Sequence, residues 1–350
     1  MLLTFFTFIN NKLVFAHMVA QSKIAILAII VIIPLVSVIL WNNENTENLE
    51  ISEDELQVYV SFYPLYETAQ AVIGDKADVK ILTPPNIDPH DFDPSVKVIQ
   101  EMKTADLIIL NGGGFESWIS NMELESDQLL DSSNGISFLK TESIDHHEEH
   151  DEHAKEDEHD EHDEHAKEDE HDEHDEHEVV SDPHIWLNPN LVKIQVKNIA
   201  ERLSKIDPEN SKSYNENASQ YIEKLELLDL QIREELSSCS KKDFITYHNA
   251  FSYFSNEYGL TQHTITKGVH DHSQPTAKSI EGIIDLAKKL DIKVIFTEDT
   301  SDIRISQVIA DEIGADVLIL SPIATQDKEN KNYFERMQEN ASSLKEALCN

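Results

Sequence analysis

Hydrophobic and polar positions along the chain alternate between two periods. From Gln57 to Leu348, short apolar runs of strand length are separated by stretches with apolar residues every three or four positions, the pattern of alternating β-strands and α-helices. Strands are predicted over Val58–Phe62, Val79–Leu82, Asp106–Leu110 and Ile136–Leu139. Helices are predicted over Leu65–Ile73, Ser95–Met102 and Trp118–Leu124. The pattern resumes with strands at Phe244–Tyr247, Leu260–Ile265, Val294–Phe296 and Val317–Leu320. These alternate with helices at Ala250–Tyr258, Thr276–Leu290, Ile303–Ile313 and Tyr333–Leu348. Between the two series lie two helices, about Asn190–Lys205 and then one opened by Asp207-Pro208 that runs to about Ser237. Tyr221, Leu225, Leu228 and Ile232 recur along one face of that second helix.

The fold class that follows is α/β: two βα lobes with mainly parallel sheets, joined by one long rigid helix, with a ligand held in the inter-lobe cleft near strand C-termini. The N-terminal lobe is placed at 56–188, the connecting helices at 189–238 and the C-terminal lobe at 239–350. Upstream, Ile24 to Trp41 is an uncharged apolar run of 18 residues, near the length of a membrane-spanning helix. With Lys23 before it, a tail 1–23 would be cytoplasmic, 24–41 an anchor, and 42–55 an acidic linker leading outside the cell. A cleaved signal peptide is the alternative, and Met18 is an alternative start. No Cys follows the apolar run, so a bacterial lipid anchor is not expected.

One stretch breaks the pattern. Residues 145–178 contain ten His and twenty acids, and HDEHAKEDEHDE is repeated without change at 150–161 and 162–173. With no large apolar residue it cannot bury a core, so a disordered loop is expected over 145–180. Its histidines are His146, His147, His150, His153, His159, His162, His165, His171, His174 and His177. Neutral imidazole is the commonest metal ligand, so the tract reads as an auxiliary metal-collecting loop with interchangeable ligands. The chain's net charge is −39, of which the tract carries −18. The acidic remainder argues against nucleic acid as a partner and favours cations near the surface.

Three histidines stand apart in ordered contexts: His90 in Asp88-Pro89-His90-Asp91-Phe92-Asp93-Pro94, His184 in Asp182-Pro183-His184-Ile185-Trp186, and His248 in Tyr247-His248-Asn249-Ala250-Phe251. Converging in the cleft they would form a three-His site with a fourth place for water or a carboxylate, although spacing alone does not bring them together. His270 and His272 are a weaker accessory pair, and His263 reads as structural. Cys239 and Cys349 are either paired or two free thiols. A hydrolase motif of the His-Glu-x-x-His type is absent from the ordered regions, so an enzyme is not expected.

These segments, in this order, resemble the metal-binding receptors of ABC importers, the cluster A-I zinc and manganese family, and within it the zinc branch. DPHDFDPS resembles the first ligand loop, NGGGFESW at 111–118 a characteristic turn, DPHIWLNP the second ligand segment and HNAFSYFSNEYGL the third. Phe296-Thr297-Glu298 and Leu320-Ser321-Pro322 resemble the last two strand ends, and a His-rich insert at this position is itself a zinc-branch feature. The resemblance implies a monomeric extracytoplasmic receptor that captures Zn²⁺ through His90, His184 and His248 and hands it to a permease driven by a cytoplasmic ATPase. Manganese relatives carry a carboxylate where His248 stands, so zinc is the expected metal and manganese the alternative. For the fourth position, water, a carboxylate and a loop His all stay open; Glu298 and Asp302 would serve as that ligand or orient a histidine from behind. A His-rich extracellular metal buffer or adhesion protein is the competing reading.

Overall fold

The computed structural model describes residues 56–85, 87–142, 179–266, 275–298 and 303–349. Two four-stranded parallel sheets carry the fold. The first contains β1 (Val58–Val60), β2 (Val79–Ile81), β3 (Leu107–Leu110) and β4 (Leu129–Asp131), in the order β2-β1-β3-β4. Helices α1 (Tyr63–Ile73) and α2 (Val96–Met102) make its first two crossovers. β3 reads Leu-Ile-Ile-Leu with every side chain buried, as a strand covered on both faces requires. The second sheet contains β7 (Asp243–Thr246), β8 (Thr261–Thr264), β9 (Val294–Thr297) and β10 (Asp316–Ile319), in the order β10-β9-β7-β8. Helices α5 (Ser252–Tyr258), α6 (Ala277–Lys289) and α7 (Ile303–Ile313) connect them. Both sheets therefore share one topology, in which the first strand pairs with the second on one side and the third on the other. The chain reverses direction across the sheet beside β1 and beside β7, where α/β sheets open a crevice for ligands.

Between the sheets run α3 (Pro189–Ile206) and α4 (Ser211–Ser237), and α8 (Tyr333–Leu348) follows the last strand. At 27 residues α4 is about 40 Å long. It buries Tyr214, Ala218, Tyr221, Leu225, Leu228, Ile232 and Leu236 at steps of three and four. The resulting core does not divide into two. One apolar cluster takes in Val58 and Val60 of the first sheet, Phe62 at the start of α1, the buried faces of α3 and α4, Phe244 and Phe296 of the second sheet, and Met337, Ala341 and Leu344 of α8. Smaller clusters cover the outer faces, around Ile108 and Met102 on one side and Ile245 and Ile309 on the other.

Trp186 fastens the two halves at their junction. It is 1% exposed, with ring centroids 4.7 Å from Phe62 and 5.3 Å from Phe115. Its Nε1 donates to the Pro322 carbonyl at 2.7 Å, and the Tyr333 hydroxyl donates to the Trp186 carbonyl at 2.8 Å. Truncating a buried Trp costs about 3–5 kcal/mol. Swinging the lobes apart would expose this cluster, so the architecture resists a wide hinge.

Several expectations change. Residues 136–139 are not a strand; β4 lies at Leu129–Asp131 instead. That strand offers only Leu129 and Leu130 between Gln128 and Asp131, so composition hides it, and pairing with β3 creates it. The helix expected over 118–124 is a 3-10 turn at Ser117–Asn121. Asp207 caps its turn through the Asn210 N–H as its sequence suggests, but Pro208–Asn210 is 3-10 and α4 starts after it. Residues 179 and 180, expected in the loop, belong to β6 (Val179–Ser181), which pairs antiparallel with β5 (Lys140–Glu142). The ten-histidine tract, the apolar run 24–41, its flanks 1–23 and 42–55, and Met18 lie outside the described residues. Among the described residues no helix is long and apolar enough to cross a membrane.

Cys239, at the end of α4, and Cys349, at the end of α8, are joined by a disulfide across 110 residues of sequence. Closing a loop of that size restricts the unfolded chain more than the folded one. Cys349→Ser should therefore lower the unfolding free energy by roughly 3–5 kcal/mol. Urea unfolding of variant and wild type checks this, and equal midpoints would contradict it.

Candidate metal centre

Each of the three ordered histidines is fixed by a different device. His90 lies in a 3-10 turn, Pro89–Asp91, whose cap is Asp88: the Asp88 carboxylate accepts the His90 backbone N–H at 3.0 Å. Its half-buried ring meets the edge of Phe115, with centroids 4.9 Å apart. His184 is wholly buried, and the same local device recurs. Asp182 accepts the His184 backbone N–H at 3.0 Å and also faces Nδ1 at 2.8 Å. His248 follows β7, and its Nδ1 meets the carboxylate of Glu298, which follows β9. The His248 backbone N–H also reaches that carboxylate at 3.3 Å.

A carboxylate on Nδ1 takes that nitrogen's proton as a hydrogen bond and leaves Nε2 as the lone-pair nitrogen. For His184 and His248 that lone pair points inward. The Nε2 atoms of His90 and His184 are 3.2 Å apart, and those of His184 and His248 are 3.4 Å apart. All three ligand nitrogens lie within 4.8 Å of one another. A tetrahedral zinc ion with Zn–N bonds of 2.0–2.1 Å would hold its nitrogens about 3.3–3.4 Å apart. The two separations of 3.2 and 3.4 Å fit that ion.

The titration of the pair behind these nitrogens is split. Burial holds His184 below the ordinary imidazole range, although Asp182 opposes the shift. Burial also pulls His248 down, but the charge and hydrogen bond of Glu298 outweigh it and raise its proton affinity. Burial thus disfavours a proton on His184, whereas Glu298 favours one on His248.

Asp88, Trp186, Pro322, Ala324 and Thr325 complete the walls of the recess. Residues 321–325 form its roof. Arg336 of α8, 2% exposed, donates to the Thr325 carbonyl and to Ser321 Oγ, both at 2.6 Å. Asn340 accepts from the Ser321 N–H at 2.8 Å and donates to the Ser321 carbonyl at 2.7 Å. Ile323 sits in the left-handed region at φ 56° while fully buried. Such a conformation persists in a branched residue only where its surroundings hold it.

Of the other expected site residues, Glu298 stands behind His248 on its Nδ1 side. His263 pairs with Asp243 at 2.8 Å on the second sheet. Asp302, His270, His272 and the ten tract histidines lie outside the described residues. Among the described residues the cluster contains His90, His184 and His248 and no fourth His, Cys, Asp or Glu. Asp88 and Asp182 do more than sequence reading assigned them. The signal was available as a repeated Asp-Pro-His, in which a carboxylate two residues before the histidine can fix its backbone.

Comparison with known proteins agrees with this geometry. The family model of ZnuA, the periplasmic zinc-uptake complex component A, matches residues 58–347. The high-affinity zinc uptake system protein ZnuA of Bacillus subtilis is 34% identical over 315 residues, 88% of this chain and 92% of that protein. The zinc-binding protein AdcA of Streptococcus pyogenes is 32% identical over 301 residues; the match covers 84% of this chain but only 56% of AdcA. Among solved structures, the laminin-binding protein of Streptococcus agalactiae, described as bifunctional with adhesin and metal-transporting activity, superposes with a TM-score of 0.70. Its sequence identity is 26%, over 84% of this chain and 99% of that one. Two parallel sheets around a shared core, three convergent imidazoles and a family match over nearly all of the described residues have one common reading: the chain belongs to the family of zinc-uptake complex component A, the zinc receptors of cluster A-I.

Proposed function

We propose that this protein captures Zn²⁺ on the extracytoplasmic side of the membrane and delivers it to an ABC permease and its ATPase. The observation that carries the reading is the set of Nε2 separations, 3.2 and 3.4 Å, at the bottom of a recess between the two sheets. His90, His184 and His248 are the ligands, and Asp182 and Glu298 hold two of them from behind. Three neutral nitrogens suit zinc better than manganese, which prefers oxygen. The fourth position falls to a water or to a group from outside the described residues. The apolar run 24–41 serves as the tether, and the lobes are divided by the helices of 189–238. Because both lobes share a core, release depends on movement of the ligand loops after docking on the permease.

His184→Ala should weaken zinc binding at the tight site by more than about a hundredfold, since losing an outer partner alone costs 10–100-fold. Competition with a chromophoric chelator measures this; a surviving tight site would remove His184 from the ligand set.

The pH dependence has a definite sign. Ligation needs unprotonated imidazole, and His248 keeps its proton to higher pH than a free imidazole because of Glu298. Affinity should fall as pH drops through the imidazole range, with His248 lost first and His184 last. Glu298→Gln removes the charge that holds the proton, so the fall should move to lower pH, while affinity at alkaline pH drops about tenfold. Calorimetry across pH reads both effects, and an unshifted profile would contradict the assignment.

Deleting residues 145–178 should leave one tight zinc site and abolish only additional weak ones. Loss of all binding on deletion would transfer the metal chemistry to the tract and favour the buffer reading.

A further inference from the structure

Glu116 is a buried acid that metal capture, as described above, does not use. It is 5% exposed and lies in the turn after β3. Its Oε1 accepts from Ser61 Oγ at 2.6 Å and from the Asn111 N–H at 2.7 Å; its Oε2 accepts from the Gly112 N–H at 3.1 Å. A single carboxylate thus closes the turn 111–116 on itself and ties it to the end of β1. The turn cannot shift easily on its far side. Gly112 and Gly113 have φ of 85° and 67°, and a Cβ on them would collide with Asp131 and with the ring of Phe138.

Two contacts lead from this turn to the metal centre. Asn111, wholly buried, donates through Nδ2 to the Pro183 carbonyl at 2.8 Å, one residue before His184. Gln195 of α3 donates to Asn111 Oδ1 at 3.3 Å and fixes the orientation of that amide. Phe115 sets its ring against His90 and against Trp186. The same turn therefore touches the supports of two of the three histidines.

We infer that Glu116 is a positioning residue for metal capture: by closing the 111–116 turn it sets Phe115 against the His90 ring and Asn111 against the carbonyl before His184. It holds two imidazoles in place from a position that touches neither. The inference rests on the three-histidine reading and deepens it. The competing account gives Glu116 a role in folding stability alone.

The test uses the full-length protein with less than one equivalent of cobalt(II), whose visible bands report ligand geometry at the tightest site. Wild type is measured first; if it shows no tetrahedral cobalt spectrum and no tight zinc binding, the three-histidine reading falls and this inference falls with it. Glu116→Gln keeps size and shape but turns an amide donor toward a backbone N–H. Zinc affinity of the folded variant should fall about tenfold, as for loss of an outer-shell partner, with a shifted cobalt band. Asn111→Ala cuts the same path at Pro183 and should shift the band in the same direction, which keeps the test open if Glu116→Gln does not fold. Wild-type affinity and spectrum in either folded variant, whatever its melting temperature, would overturn the inference.

Discussion

Two nitrogen lone pairs held 3.4 Å apart, each on a ring whose other nitrogen is taken by a carboxylate, repel unless a positive charge lies between them. In this protein the carboxylates of Asp182 and Glu298 take the Nδ1 sides of His184 and His248, so the inward-facing nitrogens cannot relieve the conflict by donating to each other while both rings stay neutral. The conflict is resolved by a proton or by a metal. Glu298 favours the first on His248, and a cation held by the three rings would supply the second. Much of the surrounding structure keeps the rings from turning away.

That restraint comes from both sheets at once. His90 follows the first sheet's second strand, His248 follows the first strand of the second sheet, and His184 lies in the segment that leads to α3. Holding nitrogens from such separate segments to within a few tenths of an ångström needs a frame that does not flex between them. The continuous core through α3, α4 and α8, pinned by Trp186, supplies it. A frame with one continuous core leaves little room for wide domain closure.

Much of this was legible in the sequence. Periodicity placed α7 and α8 at their observed limits, and located the strands of the second sheet to within a residue or two. The candidate ligands were legible because each stood in a distinct local setting. Less visible were features whose cause is tertiary. β4 exists because β3 offers it a partner, and its two leucines alone do not announce a strand. Whether Glu298 would ligate or orient depended on which His248 nitrogen it faced, which spacing does not encode. The pairing of Cys239 with Cys349 likewise depended on α4 and α8 ending side by side.

The roof of the recess depends on Arg336 and Asn340, both carried by α8, the last helix described. Every histidine of the site precedes that helix by more than eighty residues in the chain. A growing or translocating polypeptide therefore exposes all three imidazoles well before it can assemble the walls that arrange them. The recess is complete only when α8 docks. Until then the three rings are present without the frame that arranges them, and the order of synthesis completes the recess last.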